Sequence, residues 1–313
     1  MEAKPVIFYC AYYLLIYFYQ EVANYLNKYQ IEMGVIKLIA DSGSTKTDWC
    51  LLKNKKKQYF TSQGLSPYFV NEEQLDFIIG NEVLPQIGNN HINEIYFYGT
   101  GCKDKQNARW IKNNLQKIFE NAVIFIDNDL SGAAKALCGH DKGIACILGT
   151  GSNSCYFNGS RIVSNSPGLG YVLGDEGSGA YLGKKVIQHY LYDIFDTDMR
   201  ARFDAKFVTT PSEILNYVYK QQLPNRYLAS FAIFLAENRG HYMIENIIED
   251  GLNDFFFTHV IRYKESQKLP VHFTGGVAFG FKDVVSTLCD GYGLEEGNIL
   301  KSPLEGLVNY HSK

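Results

Sequence analysis

The sequence predicts an α/β protein made of two halves built to one plan. Two observations carry this. First, an apolar run, a turn of glycine and small hydroxyl residues, and a second apolar run occur twice, around residue 44 and again around residue 150. Second, each such hairpin leads into a further strand-like run, after which helical and strand-like segments follow. A three-strand front followed by alternating helices and strands predicts a mixed sheet with helices on its faces.

In the first half, runs rich in β-branched, aromatic and leucine residues predict strands at 35–40, 47–52, 58–63, 94–98 and 122–126. Helical periodicity falls at 72–84 and 104–119. Residues 129–138 read as a helix of small residues that packs closely. The pattern restarts with strands at 144–148, 154–157 and 161–164, followed by a helix-rich tract from 179 to 265. A strand at 271–274 ends in Gly275 and Gly276, and a helix spans 281–288. Ser302 as N-cap and Pro303 as first helical residue open a last helix. The expected organisation is an extension at 1–32, a first domain at 33–135 and a second at 136–301, with the last helix, 302–313, free to pack back on the first.

Bulk properties narrow the class. The chain has 313 residues, 46% hydrophobic and 20% charged, with a net charge of −3. This is ordinary for a soluble globular protein, and with no basic excess a nucleic-acid partner is not expected. Lys53, Lys55, Lys56 and Lys57 read as a solvated hairpin turn. The cysteines (Cys10, Cys50, Cys102, Cys138, Cys146, Cys155 and Cys289) form no C-x-x-C pair and sit mostly in apolar runs. That pattern fits a reducing cytoplasm and gives no zinc or disulfide framework. The histidines show no metal-binding spacing. Residues 6–19 form an unbroken apolar and aromatic run, shorter than the roughly 20 residues a membrane span needs. Met33 stands directly before the first core strand and is expected to be the natural start, which leaves no membrane contact. The rival reading is a membrane-surface helix.

The turns carry the chemistry. Asp41-Ser42-Gly43-Ser44-Thr45-Lys46 and Gly149-Thr150-Gly151-Ser152 each present glycines, which allow close backbone approach, and several N–H and O–H donors. Such nests suit phosphate, and two of them suggest a polyphosphate held between two domains. Neither is a P-loop, because Lys46 follows Thr45 and not a glycine. Gly168-Leu169-Gly170-Tyr171-Val172-Leu173-Gly174 is one residue too long for a dinucleotide fingerprint.

Taken together with Thr274-Gly275-Gly276, these turns resemble the actin-like ATPase and sugar kinase superfamily, whose two ribonuclease H-like domains close over ATP in the interdomain cleft. The stretch from Gly168 to Asp175-Glu176-Gly177-Ser178-Gly179 resembles the N-acetylglucosamine kinase branch, which also holds the BadF/BadG-type ATPases. The resemblance covers residues 33–313. It implies ATP and Mg²⁺ as cofactors and an amino sugar as substrate, most directly N-acetylglucosamine converted to its 6-phosphate. A homodimer is compatible with it, though the residues themselves do not show one.

Site residues follow from the same resemblance. Asp129 matches the catalytic aspartate, a base for the sugar hydroxyl; its alternative is to cap its own helix, and Asp127 is the neighbour to be told apart from it. Asp41, placed at the strand end in the first turn, matches a magnesium-side carboxylate. Gly43, Ser44, Thr45, Gly149, Thr150, Gly151 and Ser152 match phosphate contacts, and Gly275 and Gly276 the adenosine turn. Lys46 either assists as a point charge or faces solvent. Gly168, Leu169, Gly170 and Asp175 match sugar contacts, with Asn128 and Ser66 beside them, while Glu176 is expected to be structural. One departure concerns the sugar loop, where the family carries an asparagine shortly after a Gly-Leu-Ser-like turn. Here the run is Gly64-Leu65-Ser66-Pro67-Tyr68-Phe69-Val70-Asn71. Tyr68 would stack on the sugar, hydrogen-bond it, or lie in the core.

Three readings compete. The first is the amino-sugar kinase. The second is a BadF-type ATPase that activates a 2-hydroxyacyl-CoA dehydratase through an iron–sulfur cluster, which would need exposed thiolates; only Cys102 lies in a polar, glycine-rich loop. The third is a nucleotide- or sugar-responsive sensor without catalysis.

Overall fold

The computed structural model describes residues 34–312; the expected extension at 1–32, Met33 and Cys10 lie outside them. Strands β1 (Lys37–Ser42), β2 (Lys46–Lys53), β3 (Lys56–Gln63), β4 (Glu94–Gly99) and β5 (Val123–Asn128) form one sheet in the order β3-β2-β1-β4-β5. The β1–β2 and β2–β3 pairs are antiparallel, and β4 and β5 add in parallel. Strands β6 (Lys142–Leu148), β7 (Ser152–Asn158), β8 (Ile162–Asn165), β9 (Val271–Thr274) and β10 (Glu296–Leu300) form a second sheet, β10-β9-β6-β7-β8, with the same pattern of directions. Read outward from β6, the second sheet repeats the first strand for strand. Two five-stranded mixed sheets flanked by helices are the α/β architecture expected. Leu38, Ile39 and Ala40 are all buried, because helices cover both faces of the sheet, so the run is continuous and does not alternate.

The structure differs from expectation at several ends. Strand β10 is absent from the sequence reading. It is a short edge strand, and its Glu-Gly-Asn start carries little strand propensity. Strand β7 begins at Ser152, which therefore belongs to the strand and not to the turn. Helix α1 (Glu72–Ile78) opens with a reciprocal cap between Asn71 and Gln74. It runs past residue 84 through a π-turn, Ile79–Val83, into Leu84–Ile87. Pro85 has no amide hydrogen to donate, and Leu84 N–H bonds five residues back, to Ile79 O.

Helix α2 (Lys105–Ile118) is capped by Asp104. Helix α3 (Asp129–Cys138) lies between the sheets and runs unbroken past residue 135. Its Leu130, Ala134 and Leu137 pack with Ala145, Cys155 and Phe157 of the second sheet. On its other side Gly132 rests on Tyr98 of β4, where a Cβ would come within 2.8 Å of the tyrosine. Small residues are what let this helix touch both sheets. Helices α4 (Gly179–Leu191), α5 (Tyr242–Phe255) and α6 (Lys282–Tyr292) cover the second sheet around a core that includes Phe203, Phe234, Phe255 and Phe273. Helix α7 (Leu304–His311) has Pro303, not Ser302, at its cap. Its Leu304, Leu307 and Val308 pack on Ile39, Cys50 and Leu52 of the first sheet. Among the described residues no helix is long and apolar enough to cross a membrane.

Candidate active site

At the end of β1 the chain turns through Gly43, Ser44 and Thr45, and Gly43 N–H closes the turn on Lys46 O at 2.9 Å. The Ser42 hydroxyl pairs with that of Thr47 at 2.8 Å and accepts from Leu65 N–H at 3.1 Å. This ties the expected sugar loop to the expected phosphate turn. Gly64 is constrained for the same reason, since a Cβ there would meet Gly43 O at 2.5 Å. Lys46 is exposed but not free: its Nζ lies 2.9 Å from the Asp48 carboxylate.

Asp41 lies inside strand β1 and not in the turn. It pairs across to Asp48 and sits beside Tyr98 of β4. Burial, then the charges of Asp48 and Asp129, push its carboxyl up to about 7, and Lys46 pulls the other way. The end of the first sheet therefore holds more acid than base, which suits a cation. Among the described residues no three acidic, histidine or cysteine side chains converge on one point. A site here fits an ion held by one or two carboxylates and water, as Mg²⁺ is.

Thr100, absent from the sequence reading, connects the two parts of this cluster. Its N–H donates to Ser42 O at 2.9 Å and its hydroxyl donates to Asp129 Oδ2 at 3.0 Å. Asp129 opens helix α3 but does not cap it. The cap is Asn128, whose Oδ1 accepts from Ser131 N–H at 2.9 Å while its Nδ2 donates to Asp127 Oδ1 at 3.1 Å. Asn128, expected at the sugar, is thus engaged at both ends of its amide. Asp127 is fully engaged too, accepting from the Ser131 hydroxyl at 2.6 Å and from Lys135 Nζ at 3.2 Å. Among the described residues Asp129 accepts only from the Thr100 hydroxyl and from its neighbour Leu130 N–H, and so retains acceptor capacity.

The second turn is bonded into the start of helix α4. Gly179 N–H donates to Gly149 O at 2.8 Å and Ala180 N–H to Thr150 O at 3.0 Å. The third turn lies directly on the second. Gly275 has φ +117°, and a Cβ there would meet Leu148 O at 2.3 Å, so only glycine fits. Among the described residues three hydroxyls, of Ser66, Ser152 and Thr274, are buried without a protein partner, one in each of three segments expected to meet a ligand. A buried hydroxyl left unpaired costs about 1–3 kcal/mol, and a bound phosphate, ribose or sugar oxygen would satisfy each. The residues present therefore fit ATP.

Asp175 sits at the second turn. It has φ +58°, its carboxylate accepts from Ser152 N–H at 3.3 Å, and burial raises its pKa against that hydrogen bond. It joins the expected sugar loop to the expected phosphate turn. Leu169 and its flanking glycines are exposed. The two expected sugar loops face one cavity of about 840 Å³, which Tyr68 and Asn71 line from one side and Tyr171 from the other. Tyr68 is 62% exposed and packs on Gly101, so it is not a core residue. Asn71 is committed to capping α1. A second cavity, of about 880 Å³, brings Lys46 and Asp48 opposite Gly276 and Phe279.

A further group was not legible from spacing. His259, buried in a π-turn (Phe256–Val260) that follows α5, meets Glu176 through Nε2 at 2.9 Å and the Ser166 hydroxyl through Nδ1 at 2.7 Å. A carboxylate only accepts, so Nε2 carries the proton, and in the neutral imidazole Nδ1 accepts from Ser166. Tyr263 adds to the clasp, its hydroxyl accepting from Ser166 N–H at 2.8 Å. Both ends of the loop that holds Gly168 to Asp175 are thereby fastened to one imidazole. Glu176, expected to be structural, thus has His259 as its partner. The six described cysteines are all buried, and burial pushes the Cys102 thiol up to about 12, so none offers a surface thiolate to bridge a cluster.

No family model matches the chain. A candidate N-acetylglucosamine kinase of Porphyromonas gingivalis is 41% identical, with a TM-score of 0.84 over 88% of this chain and 98% of that one. The N-acetylmuramic acid/N-acetylglucosamine kinase of Clostridium acetobutylicum is 25% identical over 171 residues, 51% of this chain and 55% of that kinase. The match thus spans just over half the length of that curated relative. MreB 5 of Spiroplasma citri, solved with AMPPNP, shares the fold at 10% identity, with a TM-score of 0.52 over 89% of this chain and 95% of that one.

Proposed function

Because the chain belongs to the N-acetylglucosamine kinase family of actin-like proteins, we propose that it transfers the γ-phosphoryl group of ATP to an amino sugar, N-acetylglucosamine first among them, giving the 6-phosphate. The observation that carries this reading is the Thr100 bridge, which fixes Asp129 against the backbone of the first turn. A carboxylate held there accepts the proton of the sugar hydroxyl as its oxygen attacks the γ-phosphorus. Phosphoryl transfer asks little more of a protein than positioning, charge neutralisation and such a base.

Placement supports the remaining roles that the resemblance implies. Gly43, Ser44 and Thr45 on one side, and Gly149, Thr150, Gly151 and Ser152 on the other, hold the phosphates, while Gly275 and Gly276 take the adenosine. Asp41 would hold Mg²⁺, and the ion would supply the positive charge that the excess of carboxylates around Asp41 lacks. Ser66, Gly168, Leu169, Gly170 and Asp175 surround the sugar, with Tyr68 at the rim. Lys46, paired with Asp48, balances charge at a distance.

The test is ADP release with Mg-ATP across a panel of amino sugars and hexoses, run beside Asp129→Asn. Sugar-dependent release that falls by about 10²–10⁴-fold in the variant is the expected result. The absence of sugar-dependent release from the unaltered protein would overturn the proposal.

A further inference from the structure

The β5 edge of the first sheet borders a cavity of about 510 Å³, within the roughly 300–1,000 Å³ that small-molecule sites span. None of the residues placed at ATP, Mg²⁺ or the sugar lines it. A row of stacked rings leads to it. His311 lies on Tyr96 with ring centroids 3.7 Å apart, and Tyr96 lies on Phe125 at 4.9 Å with the planes 7° apart. Phe125 belongs to β5, beyond which no strand pairs among the described residues. Phe125 is 50% exposed, so the row ends in an open aromatic face. An edge strand also turns unpaired backbone N–H and C=O groups outward, which suit a ring that carries heteroatoms.

The charge around the same opening is positive. Arg109 and Lys112 of α2 and Lys135 of α3 line the cavity, against the carboxylate of Asp127. Lys135 is paired with Asp127 at 3.2 Å. Among the described residues no carboxylate lies within ion-pair distance of Arg109 or Lys112. Burial, then the charges of Lys135 and Lys37, press the His311 imidazole down to about 4, so it adds a neutral ring to the row. An open aromatic face beside two unpaired cations fits a ligand with a planar ring and an anionic group. A guanidinium can hold a phosphate by two parallel hydrogen bonds, and every nucleobase has a face that stacks on an aromatic ring.

We propose that this cavity is a second nucleotide site, apart from the cleft, in which the nucleobase stacks on Phe125 and the phosphate pairs with Arg109 and Lys112. The site reaches Asp129 through one ion pair. Lys135 holds Asp127, Asp127 accepts from Asn128 Nδ2 at 3.1 Å, and Asn128 caps the helix that Asp129 opens. A phosphate that draws Lys135 away from Asp127 loosens that cap, so an occupied site slows turnover. The effect on turnover rests on the kinase reading; the site itself does not.

The experiment titrates the full chain, first saturated with Mg-AMPPNP, with AMP, GMP, CMP and UMP in a calorimeter. Phe125→Ala and the double variant Arg109→Ala/Lys112→Ala are run beside it. All three positions are exposed, and thermal melting checks that each variant folds. At least one nucleotide should bind, and each variant should weaken it by about tenfold or more. Binding of none of the four would overturn the site, as would binding that both variants leave unchanged. Inorganic phosphate bound as tightly as the nucleotide would leave the ring no part and overturn it too. Self-association that Phe125→Ala abolishes, with no nucleotide bound, would assign the edge to a second copy of this chain instead. The link to Asp129 has a readout of its own. The Ser131 amide, held by Asn128 Oδ1 at 2.9 Å, should exchange its hydrogen about fivefold faster or more with nucleotide bound, and kcat should fall with it. Unchanged exchange with nucleotide bound would overturn the link through Lys135, whether or not any sugar is turned over.

Discussion

The two sheets have the same strand order and the same hairpin turns, but only the first carries acids at the matching points. One pair inside the first turn stand Asp41 and Asp48; one pair inside the second stand Ile147 and Asn153. The helix after the fifth strand begins with Asp129 in the first half and with Leu304 in the second. Leu304 is buried and packs on Ile39 and Cys50, whereas Asp129 is half-exposed and spends one hydrogen bond on Thr100. An apolar residue completes the architecture at that position, so the fold does not require an acid there. What distinguishes the halves at these points is charge on one side and packing on the other.

That contrast can be broken most sharply by a matched pair of substitutions. Asp129→Asn should abolish most activity while leaving the melting temperature almost unchanged, because Asn128 caps the helix. Leu304→Ala should do the reverse. It should cost about 2–5 kcal/mol of stability by opening a cavity between α7 and the first sheet, with kcat of the folded fraction retained. Chemical denaturation and ADP release on both variants give the comparison. A strongly destabilised Asp129→Asn would show that the two positions are structurally alike after all.

A second difference is the long helical insertion between β8 and β9, for which the first half has only α1 and its continuation. The insertion brings His259 to Glu176 and Ser166, and so fixes the loop that carries Asp175. His259→Ala should raise KM for the sugar by about tenfold, the cost of losing roughly one charge-assisted hydrogen bond, with KM for ATP held. His259→Gln, which can still donate and accept, should restore part of that loss. If both constants rose together, His259 would be serving the fold and not the sugar loop.

The sequence made some of this visible and hid the rest for physical reasons. The glycine-hydroxyl turns were legible because close backbone approach limits which residues can stand there. Both three-strand fronts were legible from their apolar runs. Strand β10 was not, since an edge strand that starts Glu-Gly-Asn has no periodicity to read. The division of labour among Asp127, Asn128 and Asp129 was hidden too, because aspartate and asparagine cap helices equally well and only the observed bonds separate them. Thr100 had a signal in Gly99-Thr100-Gly101, the same glycine-hydroxyl composition as the two hairpin turns. The His259–Glu176 contact joins residues 83 apart in sequence and left no local trace.

The smallest effect belongs to Asp41 and sharpens the comparison with Ile147. Its carboxyl moves from an ordinary 3.8 to about 7 on folding. The folded chain therefore binds a proton that the unfolded chain has lost between those values, and stability falls as pH rises through that window. Above pH 7 the fold carries a buried negative charge beside Asp48 and Asp129. Asp41→Asn removes that charge, as Ile147 does at the matching point of the second sheet. The gain in melting temperature over the unaltered protein should be near zero at pH 4 and grow to about several degrees by pH 8. Mg²⁺ added at pH 8 should narrow the gap by neutralising the carboxylate in the unaltered protein alone. A gain that stays constant from pH 4 to pH 8 would mean that Asp41 titrates as an ordinary surface carboxylate, and that the first turn is no more strained by charge than the second.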